Sequence, residues 1–291
     1  MTGDGGARRR IRTGGGDLSV RVAGSGPPLL LLHGFPQTGA MWTPVAGRLA
    51  GAHTLVVPDL PGYGESDPPA DVDAASKRAM AAGMVEAMDA LGFGTFDVAG
   101  HDRGGRVAYR MALDHPARVR RLAVLDILPT SDYWAKMDRG FALAIYHWAF
   151  LAQPPPLPET LIGGAPEFWL DWTLKGWTAA KSLDCFAPEA MAEYRRNFAD
   201  PARLTAMCDD YRAGATVDVE HDLASRAAGE RIAAPTLALW GASGIARSAS
   251  TPLDVWDGWC ADLRGEAVEA GHFLPEENPE ATADALARFF A

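Results

Sequence analysis

The sequence predicts an α/β fold in which a mostly parallel, doubly wound sheet is interrupted by a helical insertion. Short apolar segments alternate with helical segments up to about residue 128, and this alternation returns only at Ala234. Between them lie helical segments without a clear strand, which hold five of the nine tryptophans. An alternating β–α order is typical of parallel sheets with helices on both faces. We expect a core of residues 1–128 and 231–291 and a helical cap of residues 129–230.

The first part of the core is predicted to begin with a β-hairpin and to continue with alternating strands and helices. Its strands are predicted at 8–13, 18–23, 28–32, 54–58, 96–99 and 122–127, and its helices at 40–50, 76–91 and 103–114. Buried strands are recognised as apolar runs such as PLLLL and TLVVP. The helix after Ser76, its predicted N-cap, has Met80, Met84 and Met88 at helical spacing. The second part is predicted to contain strands at 235–240 and 264–270 and a closing helix at 279–290.

The composition limits the classes of partner. The formal net charge is −10 and the basic cluster at 8–12 is short, so nucleic acid is not expected to bind. No window reaches the ~18 apolar residues of a membrane helix and no signal peptide is recognised, so we expect a cytoplasmic protein without membrane contact. Cys185, Cys208 and Cys260 show no metal-binding spacing, so neither a metal nor another cofactor is predicted. An anionic substrate would need local cations to hold it.

A strand-to-helix turn carries the predicted nucleophile, Asp102. The segment GHDRG at 100–104 follows the pattern G-x-nucleophile-x-G of a nucleophile elbow, with Asp in place of Ser. A carboxylate at a helix N-terminus is ionised without help from a base. Its attack on an sp³ carbon would displace a leaving group and form an ester that water must hydrolyse. The pattern alone would also fit an ordinary turn with Asp102 as helix N-cap.

His272 is the predicted base and Asp126 the acid that orients it. Of the seven histidines, His272 alone follows a late strand and precedes the last helix, where the order nucleophile, acid, histidine puts the base. His33 and His101 lie in motif loops and are expected to fix the backbone. The loop GASGIARSASTP after the strand at 235–240 contains neither Asp nor Glu, so Asp126, at the end of the strand before the insertion, remains as the orienting acid.

Two backbone N–H groups are predicted to stabilise the oxyanion that forms when water attacks the ester. The elbow supplies the N–H of Arg103, and the turn HGFP at 33–36 supplies that of Phe35. HGFP alone could be a simple tight turn, but the elbow and the late histidine occur in the same chain. This set, on the predicted sheet with its insertion, is typical of the α/β-hydrolase fold.

Arg103 and Arg106 lie beside the predicted nucleophile, one helical turn apart. Two permanently charged guanidiniums at this place would bind a substrate carboxylate bidentately and offset the negative charge of the protein. They would also hold the α-carbon of a two-carbon haloacid in line with an oxygen of Asp102. The alternative is that both arginines pair with Asp102 or with other acids and serve only structure.

Eight segments resemble the fluoroacetate (haloacetate) dehalogenase family, and the likeness spans nearly the whole chain. They are HGFPQT, DLPGYG, GHDRGGRV, VLDILPT, IYHWAFLAQP, DDYRAGA, LWGASGIA and AGHFLPEE. The resemblance implies that Asp102, His272 and Asp126 form the catalytic triad and that Arg103 and Arg106 bind the substrate carboxylate. It also implies a homodimer.

The resemblance further implies a halide site in the inserted segment. His147, Trp148 and Tyr211 would hold the departing halide through imidazole, indole and phenol donors, with Trp177 in the pocket wall. On the residues alone, IYHWAFLA would also fit a helix of buried side chains. Position 105 is Gly where the family is expected to carry Ala, a change that we do not expect to alter the chemistry.

We therefore expect hydrolytic removal of halide from fluoroacetate or another haloacetate, giving glycolate through an Asp102 ester. An epoxide hydrolase would use the same triad with two tyrosines that activate the epoxide oxygen, for which Tyr146 and Tyr211 are candidates. Arg103 argues against it, because epoxide hydrolases usually carry Trp at that position. A binding or sensor protein without turnover is the other alternative, and the intact triad argues against it.

Overall fold

A computed structural model describes residues 8–244 and 251–291, where it contains one eight-stranded sheet. The last residues of the segment LWGASGIA lie outside these ranges. The strands are β1 (Arg8–Thr13), β2 (Gly16–Gly24), β3 (Pro28–Leu32), β4 (Thr54–Pro58), β5 (Phe96–His101), β6 (Val119–Leu125), β7 (Thr236–Gly241) and β8 (Leu263–Val268). Their order in the sheet is β1-β2-β4-β3-β5-β6-β7-β8.

The sheet is parallel from β4 through β8, and the hairpin β1–β2 joins it through an antiparallel pairing of β2 with β4. Its central strands are apolar: Leu29 to Leu32 of β3 have at most 1% of their surface exposed. Such strands are buried on both faces because crossover helices cover the sheet. The predicted mostly parallel, doubly wound sheet with its N-terminal hairpin is confirmed.

The helices of the sheet-forming part lie close to their predicted positions. They are a 3₁₀ helix at Gly39–Trp42 followed by α1 (Thr43–Leu49), α2 (Lys77–Ala90), α3 (Asp102–Asp114), α12 (Pro252–Trp256), α13 (Leu274–Glu277) and α14 (Pro279–Phe290). Ser76 caps α2 as predicted, since its hydroxyl accepts the N–H of Ala79 at 3.3 Å. Strand β5 is longer than predicted and runs directly into α3, because its ladder with β6 continues to His101.

The segment between β6 and β7, all of it within the described ranges, contains eight helices and none of the sheet's strands. It contains α4 (Thr130–Ala135), α5 (Arg139–Ala144), α6 (Tyr146–Leu151), α7 (Leu157–Gly163), α8 (Pro166–Trp177), α9 (Pro188–Ala199), α10 (Pro201–Ala215) and α11 (Val217–Ala227). We call α4 to α11 the inserted helices. The division into a core and a cap at residues 129 and 231 stays a prediction.

The strand order places the candidate site. Strand β4 lies on one side of β3 and β5 lies on the other, so the chain reverses its direction of winding between β3 and β5. Ligands of open α/β sheets bind at such a point, beyond the carboxyl ends of the strands. The HGFP turn follows β3, Asp102 follows β5 and Asp126 follows β6, so all three lie at this edge. In the described ranges, no helix combines the length and the hydropathy needed to cross a membrane.

Candidate active site

The elbow holds Asp102 in a strained conformation at the start of α3. Its φ is 46°, in the left-handed region that residues with a Cβ rarely adopt. A Cβ at Gly104 would lie 2.6 Å from the carbonyl carbon of Leu32, so α3 can pass this close to β3 only with glycine there. The turn therefore fixes the Asp102 carboxylate beyond the sheet edge, at the positive end of the helix dipole.

The three residues predicted as a triad lie together. The imidazole Nδ1 of His272 is 2.6 Å from Oδ2 of Asp126, and its Nε2 is 4.0 Å from Oδ2 of Asp102. The backbone N–H of Gly241 donates to Oδ1 of Asp126 at 3.1 Å. Within the described residues the buried Nε2 has no hydrogen-bond partner. This geometry leaves Nε2 free to bond a water molecule near the Asp102 carboxylate.

The electrostatics of the site suit a carboxylate beside an imidazole base. Burial by itself would raise the pKa of Asp102, but the electrostatic interactions with His272, His101 and the two arginine guanidiniums outweigh it and lower that pKa. Burial would lower the pKa of His272, but the hydrogen bond and charge of Asp126, with the charge of Asp102, raise it. Asp102 is thus ionised at neutral pH, as a nucleophile must be.

Backbone groups and two buried histidines shape the site. The N–H of Phe35 donates to Oδ1 of Asp102 at 2.9 Å, so this predicted oxyanion donor already faces the carboxylate. The Nε2 of His33 accepts the N–H of Leu60 at 2.9 Å, and Nε2 of His101 is 2.8 Å from the carbonyl of His272. Burial lowers the pKa of His101 to about 3, so its ring is neutral and donates to that carbonyl. The expectation that both histidines fix the backbone is confirmed.

Arg103 and Arg106 are buried, but their surroundings differ. The Nε and Nη2 of Arg103 both bond the carboxylate of Asp210, so this edge cannot also take a substrate carboxylate. Its Nη1 has no hydrogen-bond partner among the described residues. Arg106 instead donates Nη1 to neutral acceptors, the carbonyl of Leu128 at 2.9 Å and the hydroxyl of Thr130 at 3.1 Å. The structural alternative therefore holds for Arg103, which pairs with Asp210. The hydrogen bonds of Arg106 go to neutral acceptors and leave its charge without a direct ionic partner.

The aromatic residues of the predicted halide site surround these guanidiniums. The ring of Trp148 lies 5.4 Å from Cζ of Arg103 and 4.4 Å from Cζ of Arg106, and the ring of Tyr211 lies 4.3 Å from Cζ of Arg103. The ring of His147 contacts those of Trp177 and Tyr211, with centroids 4.4 and 5.8 Å away; it is tilted relative to the first and edge-on to the second. These contacts bring the predicted binding residues into one cluster.

Two further ring contacts connect the cluster to His272 and to the turn that carries Phe35. Trp177 lies 5.6 Å from the ring of His272, and Phe35 lies 5.1 Å from that of Tyr211. Burial lowers the pKa of His147 to about 3, so the ring is neutral, and its buried Nδ1 lacks a partner in the described part of the chain. By contrast, Tyr146 has 42% of its surface exposed. The tyrosine pair required by the epoxide alternative is therefore not buried as a pair.

Several buried charged groups near the site were not identified from the sequence. Asp210 belongs to the segment DDYRAGA, but only Tyr211 was given a role there. Lys77 begins an amphipathic helix, and nothing local distinguishes it from an exposed lysine. Glu276 follows His272 by four residues and could have been noted as a carboxylate inside an apolar motif. Nowhere in the described ranges do three or more His, Cys, Asp or Glu side chains form a group that could hold a metal ion.

Glu276 connects three parts of the site through a buried carboxyl group. Its Oε1 accepts the hydroxyl of Tyr194 on α9 at 2.9 Å, and its Oε2 bonds the side-chain amide of Gln37 in the turn that carries Phe35. Burial raises the pKa of Glu276 to about 8, from an ordinary value of 4.5. The carboxyl group is therefore protonated in the folded protein at neutral pH.

We expect this proton to make stability fall with rising pH. Between pH 4.5 and about 8 the unfolded chain has released the Glu276 proton and the folded chain retains it. The free energy of unfolding should then lose up to about 1.4 kcal/mol per pH unit in this window and level off above it. Glu276→Gln should remove this contribution, so the stability of the wild type relative to the variant should decrease from pH 5 to pH 8 in urea unfolding. Parallel pH profiles for the two proteins would contradict a raised pKa at Glu276.

The comparisons with known proteins agree with this architecture. The chain belongs to the α/β-hydrolase family, because the family model described as alpha/beta hydrolase fold matches residues 27–279. It is 44% identical over 287 residues to a fluoroacetate dehalogenase from Burkholderia sp., covering 98% of this chain and 93% of that protein. It is also 36% identical to a soluble epoxide hydrolase from Corynebacterium sp. (strain C12), covering 93% and 92%.

A solved structure supports the same assignment of the fold. The crystal structure of ALR0039, a putative alpha/beta hydrolase from Nostoc sp. PCC 7120, superposes with a TM-score of 0.95 at 46% identity and covers 98% of both chains. The predicted fold class and the predicted likeness to fluoroacetate dehalogenase are both confirmed. The chain is a hydrolase of this fold.

Proposed function

We propose that the protein is a hydrolytic dehalogenase that converts fluoroacetate or another haloacetate and water into glycolate, halide and a proton. The observation that carries this proposal is Arg106, a buried cation that donates to two neutral acceptors beside the Asp102 carboxylate. Burying an unpaired charge is costly, and a bound carboxylate would offset this cost. A neutral substrate would leave the guanidinium without a direct ionic partner. The similarity to fluoroacetate dehalogenase over 98% of the chain supports the same substrate class.

The first step is attack by Asp102 on the carbon that carries the halogen. Because Oδ1 is bonded to the N–H of Phe35, the attacking oxygen is Oδ2, which faces His272. The bond between carbon and halogen breaks as the ester bond forms, and the electron pair leaves with the halide. His147, Trp148 and Tyr211 then offer imidazole, indole and phenol donors to the halide.

The second step is hydrolysis of the ester. His272 takes a proton from water at Nε2 while Asp126 holds its Nδ1, and the resulting hydroxide attacks Cγ of Asp102. Negative charge develops on Oδ1, where the N–H of Phe35 already donates, and the N–H of Arg103 is the second donor. The bond between Cγ and the former Oδ2 then breaks, His272 returns its proton to that oxygen, and glycolate departs. Asp102 keeps one oxygen from water, and the second proton of that water is released to solvent as the carboxylate is restored.

The proposal is tested by measuring halide release from fluoroacetate and chloroacetate, with neutral chloroacetamide and an aliphatic epoxide as comparison substrates. We expect release from the haloacetates and little turnover of the neutral substrates. Preferential hydrolysis of the epoxide would favour the epoxide hydrolase alternative instead. Binding of haloacetate without any halide release would favour a sensor protein.

The proposed role of Arg106 leads to a quantitative expectation. Arg106→Met should lower kcat/KM for chloroacetate at least about tenfold, because a charge-assisted hydrogen bond in a buried site contributes roughly 1.5–3 kcal/mol. Activity on chloroacetamide, which carries no charge, should change much less. Arg48→Met, which removes an exposed arginine paired with Asp284, is the matched control. Equal losses on both substrates, in step with a lower melting temperature, would make Arg106 a structural residue.

A further inference from the structure

Arg103 is held on one edge by a single residue of the inserted helices. Its Nε lies 3.1 Å from both carboxylate oxygens of Asp210, and its Nη2 lies 2.5 Å from Oδ1 and 2.6 Å from the backbone carbonyl of the same residue. Arg103 and Asp210 are fully buried. These contacts use three donors of the guanidinium and fix its plane, so Nη1, which has no partner among the described residues, is the donor left to bind another molecule.

Asp210 is in turn fixed by groups from the sheet-forming part of the chain. Nζ of Lys77, the first residue of α2, bonds Oδ1 of Asp210, and the hydroxyl of Tyr63 donates to Oδ2 at 2.8 Å. Asp218 on α11 accepts the backbone N–H of Lys77 at 2.8 Å and lies 3.6 Å from Nζ. Two cations and two acids therefore form one buried, charge-balanced cluster.

The helix that carries Asp210 is also shaped around Arg103. Tyr211 lies 4.3 Å from Cζ of Arg103, on one side of the guanidinium. A Cβ at Gly214, in the same helix α10, would lie 2.9 Å from Nη2 and 3.3 Å from Nη1. Glycine is less favourable in a helix than alanine, by up to roughly 1 kcal/mol in a helix interior, and Gly214 lies in the last turn of α10. Its presence here leaves room for the guanidinium against the helix.

We propose that Asp210, fixed by Lys77, is a positioning residue that determines selectivity for carboxylate substrates. It holds Arg103 so that Nη1 meets one oxygen of the substrate carboxylate, while Arg106 supplies the charge that the substrate balances. The inference rests on the proposed function and goes beyond it, because it assigns substrate selection to a residue that does not touch the substrate. A cluster that served only stability could be replaced by apolar residues without loss, since buried ion pairs are weak stabilisers.

The variant Asp210→Asn separates positioning from charge. It removes a negative charge beside the pocket, so attraction alone would lower KM for chloroacetate. If Asp210 acts by holding Arg103, the freed guanidinium should instead raise KM for chloroacetate about tenfold, since an oriented charged hydrogen bond contributes roughly 1.5–3 kcal/mol. In that case kcat should change less than KM, and KM for chloroacetamide should stay within about twofold of wild type.

The variant Gly214→Ala tests the same point without changing any charge, and it remains informative if Asp210→Asn fails to fold. The added methyl group must displace the guanidinium, and the higher helix propensity of alanine offsets only part of the cost in stability, so melting temperature is measured alongside both KM values. We expect KM for chloroacetate to rise several-fold while KM for chloroacetamide is retained. A purely structural role for the cluster would not produce this combination.

Glu159→Gln is the matched control for both variants. Glu159 pairs at 2.7 Å with Arg212, which lies on α10 two residues after Asp210, so the same helix loses one ionic contact away from Arg103. It should leave both KM values unchanged. A lower or unchanged KM for chloroacetate in Asp210→Asn, or an unchanged KM in Gly214→Ala, would overturn the inference. Absence of halide release by the wild type would instead overturn the proposed function.

Discussion

Replacement of Asp102 by asparagine or alanine is expected to lower the rate of halide release from haloacetates by at least roughly 10⁴-fold, as removal of a catalytic nucleophile does in other hydrolases. The amide of Asp102→Asn has no anionic oxygen to attack carbon, although it can keep the contact with the N–H of Phe35. The Asp102→Asn variant should stay folded, because the strained φ of 46° at this position is adopted more readily by asparagine than by most residues with a Cβ. Fluoride or chloride release and melting temperature would be measured together.

Oxygen-18 water tests the ester route without any mutation. In a single turnover with enzyme in excess, the label should enter the Asp102 carboxylate, because water attacks Cγ and glycolate leaves with an oxygen that belonged to the enzyme. Mass spectrometry of the peptide that contains Asp102 would detect it. Label found only in glycolate would mean that water attacks the substrate carbon directly, with Asp102 acting as a base.

The sheet, and the meeting of Asp102 and His272 at one of its edges, could be predicted because the residues concerned are marked by local patterns. Apolar runs bounded by turn residues identify the strands, and Asp102 is recognised by the glycines required where β3 and α3 nearly touch. The absence of another carboxylate in the loop after β7 points to Asp126, and the structure places its Oδ2 2.6 Å from Nδ1 of His272. Position along the chain sufficed here because parallel strands bring their carboxyl ends to one edge.

The partners of buried charges could not be predicted, because they depend on distant parts of the chain. Asp210 lies 107 residues from Arg103 and 133 from Lys77, and no spacing rule connects them. The sequence therefore left open whether Arg103 binds substrate or an internal acid. In the structure, Nε and Nη2 of its guanidinium bond Asp210, and Nη1 has no partner among the described residues. The protonated Glu276 was missed for the same reason, since its pKa depends on burial beneath α9. The homodimer and the cytoplasmic location stay predictions.

Replacement of His272 by asparagine is expected to stop turnover but not the first chemical step. Nε2 of His272 lies 4.0 Å from Oδ2 of Asp102, too far for a hydrogen bond, so attack on carbon does not need the imidazole. Hydrolysis does need it, because general base catalysis contributes roughly 10²–10⁴-fold. The variant His272→Asn should release one halide per active site and then stop. Intact-protein mass spectrometry should find one carboxymethyl group, located on Asp102.

When the pH is lowered, the wild type should likewise continue to form the ester but lose the ability to hydrolyse it. Asp126 raises the pKa of His272, so the imidazole becomes protonated as the pH falls through that value and can no longer take a proton from water. Asp102, whose pKa is lowered, remains ionised in the same range and continues to form the ester. At acidic pH the wild type should therefore accumulate the ester adduct, which His272→Asn should accumulate at every pH. The variant His115→Asn, a control at a partly exposed histidine, should behave as wild type. If His272→Asn forms no adduct and no longer binds haloacetate, His272 is needed to build the site, and ester hydrolysis must use another base.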